Sequence, residues 1–512
     1  MTFSDSPQLA IASAAFLSAA VLYLSCRPRS PLPPGPNKLP LLGNLFDLPS
    51  SYEWEQYAKW AKEYATDILH LSVCGQSIIV LDTYDACMAL LEKRSRYYSS
   101  RPGLTMAIDL VGFDFNIGFI PYGDQWRARR RLIHGMLHAT AFPRFNPIIL
   151  RSTHALLRAL LIAGEDDLEA ELRHMAARVI LGATYGLDIR TKDDPHVLNA
   201  EAVQGYLTAC ANQGSYLVNS IPILKYVPEW VPGAMFKRQA REWKAHARYM
   251  VDTPFAEVKN YLCETPFAPS VASMALEKGI EEDVIKDACA TMYMAGTDTT
   301  VCAILNFTLA MMDHPEHLER AQRELDEVVP GRLPDFADEE NLPFVTAIVL
   351  ESLRYMPVTP VAISHYYSGE GSDIYKGCVI PPKSVVIPNV WSMAHDEDVY
   401  PDSYAFKPDR FLTADGKINR DVRDPSVFAF GFGRRICPGR RLAYASMWLT
   451  IASIMKSFDI RKAKRADGTV IEPPKEWMSG LVSLPKHFKC QLTPRNAEAE
   501  AMIRATAHSQ DS

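Results

Sequence analysis

The stretch Phe430–Gly439, FGFGRRICPG, decides how the rest of the chain is interpreted. Its three glycines allow tight bends and the close approach of a flat, bulky partner, because glycine has no side chain to clash. Arg434 and Arg435 place positive charge beside Cys437, and positive charge favours the thiolate form of cysteine. A thiolate carried on such a loop suits the axial position of a haem iron. We therefore predict that Cys437 is a metal ligand.

A second unusual segment, Ala295–Thr300 (AGTDTT), lies inside a helical pattern that extends from about residue 282 to residue 313. Glycine in a helix interior costs about 1 kcal/mol relative to alanine, and such local conflicts concentrate at functional sites. Ala295 and Thr299 share one helix face, where small side chains leave room for a flat cofactor and dioxygen. The alternative is an ordinary core helix in which the threonine hydroxyl binds the carbonyl four residues earlier.

Two further motifs place charges or donors at helical spacing. Glu351 and Arg354 are three residues apart on one predicted helix face, and Arg410 follows in PDRF. As an isolated pair they would be an ordinary surface contact of a few tenths of a kcal/mol. Trp126 and Arg130 are four residues apart, so they also share a face, and both are hydrogen-bond donors. A solvated charge run is the alternative for the basic segment around them.

Taken together, these motifs resemble those of the haem-thiolate monooxygenases, the cytochrome P-450 superfamily, in family order and over essentially the whole chain. The likeness is to microsomal members. The segments LPPGP, YGDQWRARRR and PGRRLA are most similar to those of fungal (basidiomycete) enzymes of secondary metabolism. The resemblance implies an α+β fold that is mainly α-helical, with a small β-rich part. It also implies a haem, iron protoporphyrin IX, whose axial thiolate is Cys437.

The resemblance also assigns a role to each motif. Asp298 and Thr299 form the catalytic pair, in which the hydroxyl hydrogen-bonds oxygen as it is reduced and the carboxyl passes on protons from water. A structural triad holds the core near the haem and takes no part in the chemistry: Glu351, Arg354 and Arg410. The haem propionates are bound by a set of donors: Trp126, Arg130, His365 and Arg435. For His365 alone, a packed core histidine is the alternative.

The organisation of the 512 residues follows from composition. A hydrophobic content of 48%, with no internal repeat after residue 40, favours one large catalytic domain, which we place at residues 46–495. Residues 30–45 are a proline-rich, extended hinge, and residues 496–512 are a polar tail that we expect to be disordered. The ten cysteines are scattered without a C-x-x-C pair, which argues against a zinc site and a disulfide framework. A net charge of −6 gives no support for a nucleic-acid partner.

Residues 1–29 predict a membrane anchor with flanking basic residues. Leu9–Cys26 is a run of eighteen residues without a charge, just long enough to cross the hydrocarbon core. A cleaved signal peptide would carry basic residues before the run, whereas here Arg27 and Arg29 follow it. By the positive-inside rule, the catalytic domain faces the cytosol. We therefore expect a single-pass protein of the endoplasmic reticulum membrane.

The predicted reaction is a monooxygenation, in which two NADPH-derived electrons activate O₂ and one oxygen atom enters a C–H or C=C bond. Relatives that act without oxygen, as isomerases or dehydratases, tend to lose the acid–threonine pair or lengthen the cysteine loop, and this chain keeps Asp298, Thr299 and a normal loop. A non-catalytic haem sensor is a third alternative. The implied electron donor is a separate NADPH–cytochrome reductase, with cytochrome b5 as a further donor. We predict that it docks near Arg434, Arg440 and Arg441.

The substrate is predicted to be a lipophilic small molecule, because the family's pocket positions are mostly apolar here. A terpenoid is favoured, and an aromatic or indole-type metabolite or a polyketide is the alternative, for which Asp109 and Asp114 could pair a cationic amine. The segment 215–230 is apolar enough to dip into membrane lipid. The predicted pocket residues are Met106, Ile108, Phe113, Phe115, Met292, Met294, Val358, Val361, Ile363 and Leu481.

Overall fold

The fold is described from a computed structural model, which describes residues 31–189, 193–211, 215–262 and 269–507. The predicted anchor, Leu9–Cys26, lies outside these residues. Within them, no helix combines the length and the apolar character needed to cross a membrane. The cysteines in the same ranges are free thiols.

Helices dominate the architecture. In chain order they are α1 Glu53–Glu63, α2 Tyr84–Cys87, α3 Ser95–Tyr98, α4 Asp124–Leu137, α5 Asn146–Leu160, α6 Leu168–Tyr185, α7 Pro195–Ala211, α8 Leu217–Ser220, α9 Met235–Leu262, α10 Val271–Glu277, α11 Glu282–Gly296, α12 Thr299–Asp313, α13 Pro315–Val328, α14 Pro343–Tyr355, α15 Val390–Ala394, α16 Ser426–Ala429, α17 Arg440–Ser457 and α18 Ala497–Ala505. Single helical turns also occur, among them Met106–Val111, Phe113–Phe115, Pro408–Phe411 and Gly433–Arg435.

The strands form a small, separate part of the molecule. They are β1 Ile68–Val73, β2 Gln76–Leu81, β3 His365–Tyr366, β4 Asp373–Tyr375, β5 Cys378–Ile380, β6 Val385–Pro388, β7 Phe458–Lys462 and β8 Cys490–Pro494. A four-stranded sheet has the order β1-β2-β6-β3, in which β2 and β6 are parallel and the other pairs antiparallel. Cys74 and Gly75 both have positive φ in the tight β1–β2 turn, as such hairpins require. The predicted mainly helical fold with a small β part is confirmed.

The buried helices α11, α12 and α17 form the centre of the core. α11 packs against α4, α6 and α9, while α17 packs against α5, α12 and α14. Most residues of α12 and α17 are buried on every side, as expected for a helix that is apolar all round. This packing places the segment before α17, which contains Cys437, opposite the junction of α11 and α12.

Two expectations need correction. The helix predicted to run unbroken from residue 282 to residue 313 is interrupted between Gly296 and Thr299, where threonine hydroxyls bond back to carbonyls of the preceding turn and bend the helix. The predicted disordered tail is wrong for α18. The Asn496 side chain accepts the N–H of Ala499 and caps this helix, and Ile503 is fully buried against the core.

Candidate active site

The loop that carries Cys437 has a fixed backbone. The N–H of Cys437 donates to the carbonyl of Phe430 at 2.7 Å, which closes the loop just before α17. Gly431 and Gly433 have positive φ values of 78° and 58°, a conformation that glycine adopts without strain. A Cβ atom at Gly433 would also overlap the carbonyl of Leu91. These two glycines therefore hold the sulfur in place.

A cavity of about 320 Å³ lies between this loop and the α11–α12 junction. Cys437 lines one side of it, and Ala295, Thr299 and Ala303 line the opposite side. Apolar residues of α4, α6, α7 and α17 close the remaining walls. The arrangement offers a thiol on one side and a wall of small residues on the other, with space for a flat molecule between them.

The charged groups that act on Cys437 are not Arg434 and Arg435, the two that the sequence predicts. Burial raises the pKa of the thiol, whereas the Gly439 N–H, Arg130 and Arg440 lower it. Arg434 instead donates to the Tyr122 hydroxyl at 2.8 Å. Burial therefore outweighs the nearby positive charge in its effect on this pKa, and coordination to a metal ion would favour the thiolate, since a coordinating thiol is deprotonated by its metal.

Two buried arginines meet at the edge of the cavity without an anion. Arg435 donates to the carbonyls of Ser99, Ile117 and Ile120. Arg101 donates to carbonyls of residues 118, 363 and 364. Burial and then Arg435 hold the pKa of Arg101 well below its usual value, and burial and then Arg130 lower that of Arg435 to about 9. Two like charges in one buried place imply an anionic partner.

The other side chains predicted to bind the haem propionates line the same cavity. His365 and Trp126 line the cavity with Arg130. Burial, followed by Arg101, lowers the pKa of His365 well below its usual value, so the imidazole is neutral. Its Nδ1 donates to the Tyr98 carbonyl at 2.7 Å, which leaves Nε2 without a proton to donate to a carboxylate, as expected of a packed core histidine. Within the described chain, the buried Trp126 indole N–H has no hydrogen-bond partner, and the guanidinium of Arg435 lies 4.8 Å from the indole ring. The Trp126 indole N–H and the Arg130 guanidinium are therefore the donors here that fit a bound carboxylate.

The donor set fits a haem. A cysteine sulfur and a set of donors without an anion, all lining one cavity, match an iron porphyrin with two propionates. No carboxylate of the described residues pairs with Arg101, Arg130 or Arg435, so the expected anions are the propionates. Arg101 was not predicted from the sequence, because its carbonyl partners include residues more than 260 positions away.

Thr299 lies on the cavity, opposite the thiol. Its hydroxyl donates to the Ala295 carbonyl at 3.0 Å, which is the bond expected of an ordinary core threonine, yet its side chain also lines the cavity. Gly296 has a role in helix packing that the sequence did not predict. A Cβ atom there would lie 2.6 Å from Ile180 Cγ1, so this glycine allows α6 and α11 to approach closely.

Asp298 points away from the cavity. Its side chain is buried and forms an ion pair with Arg173 on α6, which also binds Glu169. Burial raises the pKa of Asp298, and Arg173 lowers it. The structure therefore separates the predicted pair: Thr299 lines the cavity, while Asp298 is held behind it by an arginine that the sequence did not reveal.

Glu351, Arg354 and Arg410 come together in the core. Arg354 donates to both oxygens of Glu351 at 2.7 and 2.8 Å, and Arg410 Nε lies 3.2 Å from the same carboxylate. The other donors of Arg354 bind carbonyls of Ala394 and Ser403. The network joins α14 to the segment before the cysteine loop and does not line the cavity, which matches a structural role.

The pocket prediction divides into two groups. Five residues line the cavity: Met292, Met294, Val358, Ile363 and Leu481. Five do not: Met106, Ile108, Phe113, Phe115 and Val361. The first four of these pack into the main core, where Phe113 and Phe115 contact each other edge to face at 6.1 Å. Val361 packs against the four-stranded sheet. Apolar character alone does not separate pocket from core.

The acidic residues considered for an amine are engaged elsewhere. Asp109 pairs with Lys225 at 2.5 Å, and Asp114 lies 3.6 Å from Arg248. Neither lines the cavity. Arg129, in the basic segment around Trp126 and Arg130, is buried and paired with Asp287, so it does not belong to a solvated charge run.

Comparisons with known proteins agree with this geometry. Residues 33–492 match the model of the family described as Cytochrome P-450, and the chain belongs to that family. Cytochrome P-450 monooxygenase 98 of Postia placenta is 43% identical over 485 residues, which cover 93% of this chain and 92% of the relative. Cytochrome P-450 monooxygenase ple1 of Rhodocybe pseudopiperita is 41% identical over 93% of this chain and 91% of its own.

A third relative, tryptamine 4-monooxygenase of Psilocybe cyanescens, is 37% identical over 94% of this chain and 97% of its own. The protein is thus a haem-dependent monooxygenase of fungal type. Family membership also entails a cysteine thiolate ligand and electrons from a reductase partner.

Proposed function

We propose that the protein is a membrane-anchored monooxygenase that hydroxylates or epoxidises a terpenoid in fungal secondary metabolism. The observation that carries the proposal is the mainly apolar cavity between Cys437 and Thr299. A haem bound there supplies the oxidising chemistry, with two electrons from NADPH through a separate reductase. The protein's part is to bind the substrate, exclude water and deliver protons.

The residues around the α11–α12 junction support oxygen-dependent chemistry. Thr299 presents a hydroxyl at the cavity wall, where rotation away from the Ala295 carbonyl makes its proton available to oxygen. Asp298 lies immediately behind this wall and contacts Arg173, whose other partner Glu169 is partly exposed. This chain of charged groups is suited to carry protons from solvent. An oxygen-independent isomerase or dehydratase needs no route for protons from solvent. A haem sensor needs neither the Thr299 hydroxyl nor the Asp298 carboxylate.

The haem donors also have defined tasks. Arg101 and Arg435 neutralise the propionates and are themselves held by backbone carbonyls, so the cofactor is oriented by rigid groups. Trp126 and Arg130 complete the set from α4.

Membrane attachment is supported by exposed apolar side chains in addition to the sequence of residues 1–29. Ile223, Tyr226 and Trp230 in the segment between α8 and α9 are 71–82% exposed. Leu41, within the proline-rich hinge, and Phe46, just after it, are 90% and 76% exposed. Exposed large apolar groups of this kind mark an interaction surface. A single span of the endoplasmic reticulum membrane, with the catalytic domain on the cytosolic side, accounts for both sets of exposed side chains, those of residues 223–230 and those of Leu41 and Phe46.

Electron transfer from the reductase is proposed to use the surface beside the cysteine loop. Arg434 is exposed there, and Arg440 and Arg441 are partly exposed. Arginines on this side suit an acidic partner, which steers association. Cytochrome b5 would compete for the same surface.

The terpenoid is favoured over an aromatic amine by the cavity's charge. No carboxylate of the described residues lines it, so a protonated amine would be buried without a counter-ion. An indole substrate is the second candidate, because the chain is similar to the tryptamine 4-monooxygenase of Psilocybe cyanescens. A polyketide is the third.

The test is spectroscopic titration of the purified haem protein with sesquiterpenes, diterpenes and indole amines, followed by turnover with NADPH and a fungal reductase. We expect haem spectral shifts with terpenes and product formation that depends on NADPH and O₂. Tight binding of tryptamine with no response to any terpene would favour the second candidate. Product without NADPH or O₂ would contradict a monooxygenase reaction.

A further inference from the structure

One amide side chain in the cavity wall makes no hydrogen bond within the described residues, as is also true of the Trp126 indole N–H and the Ser446 hydroxyl. Gln204 lies on α7, three residues before Leu207, and both line the cavity. Gln204 is only 8% exposed. Its backbone carbonyl accepts from Thr208, but its side-chain amide makes no hydrogen bond with any residue that the structure describes. An amide has two donor hydrogens and an accepting oxygen.

Two other buried polar side chains of the cavity wall, Asn116 and Thr291, are already satisfied within the protein. Asn116 accepts the Gly118 N–H at 2.7 Å and donates to Met294 Sδ at 3.2 Å. Thr291 donates to the Asp287 carbonyl at 2.8 Å and accepts the Ile117 N–H. These groups hold the backbone of the cavity wall. The amide of Gln204 has no such structural task.

The amide of Gln204 borders the cavity, so its hydrogen-bonding partner has to come from a molecule inside the cavity, and a purely apolar molecule there would leave the amide unpaired at a cost in free energy. The neighbouring wall from α6 is apolar, formed by Ala176, Val179 and Ile180. A methionine would have nearly the same shape as Gln204 without the penalty. The amide is therefore most simply explained by a partner on the substrate.

We propose that Gln204 recognises an oxygen function, a hydroxyl or a carbonyl, that the lipophilic substrate already carries when it enters the cavity. The inference rests on the proposed function, since it names a chemical feature of that same substrate. A neutral group fits best, because Gln204 has no charge to balance an ion. The reaction that supplies the substrate then belongs to an oxygen-installing class: an earlier oxidation, or a cyclisation that ends with capture of water.

The test measures how well the haem-loaded full-length protein distinguishes a hydrocarbon from the corresponding alcohol. Three matched pairs serve as probes: cedrene and cedrol, naphthalene and 2-naphthol, and decane and 1-decanol. Dissociation constants come from the haem absorbance shift, for wild type and for Gln204→Met. Leu207→Met is the matched control, since it changes shape on the same helix face and leaves the amide intact.

We expect wild type to bind the alcohol of at least one pair about 5- to 10-fold more tightly, the value of one neutral hydrogen bond. Gln204→Met should abolish this preference while binding the hydrocarbon at least as well as wild type. Leu207→Met should retain the preference. A purely structural role of Gln204 would weaken both members of a pair equally. If Gln204→Met does not fold with haem, Gln204→Leu replaces it.

The outcomes separate this inference from the proposed function. Equal binding of hydrocarbon and alcohol by wild type, or a preference that survives in Gln204→Met, overturns the role of Gln204 and leaves the lipophilic cavity intact. Failure of all six probes to bind overturns the proposed lipophilic substrate, and the inference with it.

Discussion

At the residue scale, the position of Asp298 matters most for how protons reach the cavity. The acid lies behind the cavity wall in an ion pair with Arg173, and not beside Thr299 on the cavity. Arg173 opposes the effect of burial on the pKa of Asp298. Arg173 thus favours the ionised form of a buried carboxyl, and it holds that carboxyl in a defined place.

We predict that Arg173→Met moves the acidic limb of the pH–turnover profile to higher pH. Without the arginine, burial alone acts on Asp298, its pKa rises, and the carboxyl is protonated at a pH where the wild type is ionised. The measurement is NADPH-dependent product formation against pH. Asp298→Asn is the control, and it should lower turnover by about 100-fold, the lower range for a lost acid–base group. An unchanged profile in Arg173→Met would remove Asp298 from the proton route.

At the element scale, the contact between α14 and the segment before the cysteine loop depends on one buried ionic network. Glu351 and Arg354 are fully buried and Arg410 nearly so. Removal of one charge from such a network leaves the others uncompensated. The network therefore determines whether the loop that carries Cys437 is in place to hold a haem.

We predict that Glu351→Gln lowers the free energy of unfolding by about 3–5 kcal/mol, the range for a broken buried pair, and reduces haem content. Glu500→Gln is the matched control. Its carboxylate pairs with Arg504 on the exposed face of α18, and we expect a change of less than about 0.5 kcal/mol. Denaturant unfolding and haem absorbance per protein check both. Equal effects of the two substitutions would show that Glu351 has no special structural role.

Strand β1 contains a group that should make stability depend on pH. His70 is buried, and burial together with Lys38 lowers its pKa to about 3. The unfolded chain binds a proton at His70 below about pH 6.5, whereas the folded chain does not. The stability contribution is therefore complete above pH 6.5 and falls as the pH decreases from 6.5 towards 3.

We predict that His70→Gln reduces the acid sensitivity of unfolding. Between pH 6.5 and 4.5, the wild type should lose about 1.4 kcal/mol per pH unit more than the variant, the value for one proton taken up on unfolding. Urea unfolding at several pH values measures this difference. Parallel curves for the two proteins would mean that His70 is protonated in the folded state.

The elements also show what the sequence could predict. The cysteine loop and the spacings Trp126–Arg130 and Glu351–Arg354 are local patterns, so their residues could be found without a structure. Arg101 could not, because its carbonyl partners come from two separate segments, residue 118 and residues 363–364, and the second is more than 260 positions away. Gln204 gave no signal either, since one glutamine on a helix is ordinary until its surroundings are known. The pocket prediction failed at Phe113 and Phe115 because pocket and core use the same residue types.

At the scale of the whole molecule, exposed apolar side chains between α8 and α9 suggest contact with lipid in addition to the N-terminal anchor. Ile223 and Trp230 are examples. We predict that a variant lacking residues 1–29 retains measurable binding to phospholipid vesicles, and that Ile223→Ser weakens this binding several-fold through lost apolar burial. Ile162→Ser, at an equally exposed position outside this segment, is the matched control. Equal losses for both substitutions would contradict a specific lipid contact.

The chemistry of the whole molecule depends on Cys437 as the thiolate ligand of a haem. The most direct measurement is the absorbance spectrum of the reduced, CO-bound protein, for wild type and for Cys437→Ser, at matched haem content. We predict the long-wavelength band typical of thiolate ligation in the wild type and its complete loss in the variant. Absence of the band in wild type, or its persistence in Cys437→Ser, would contradict the account.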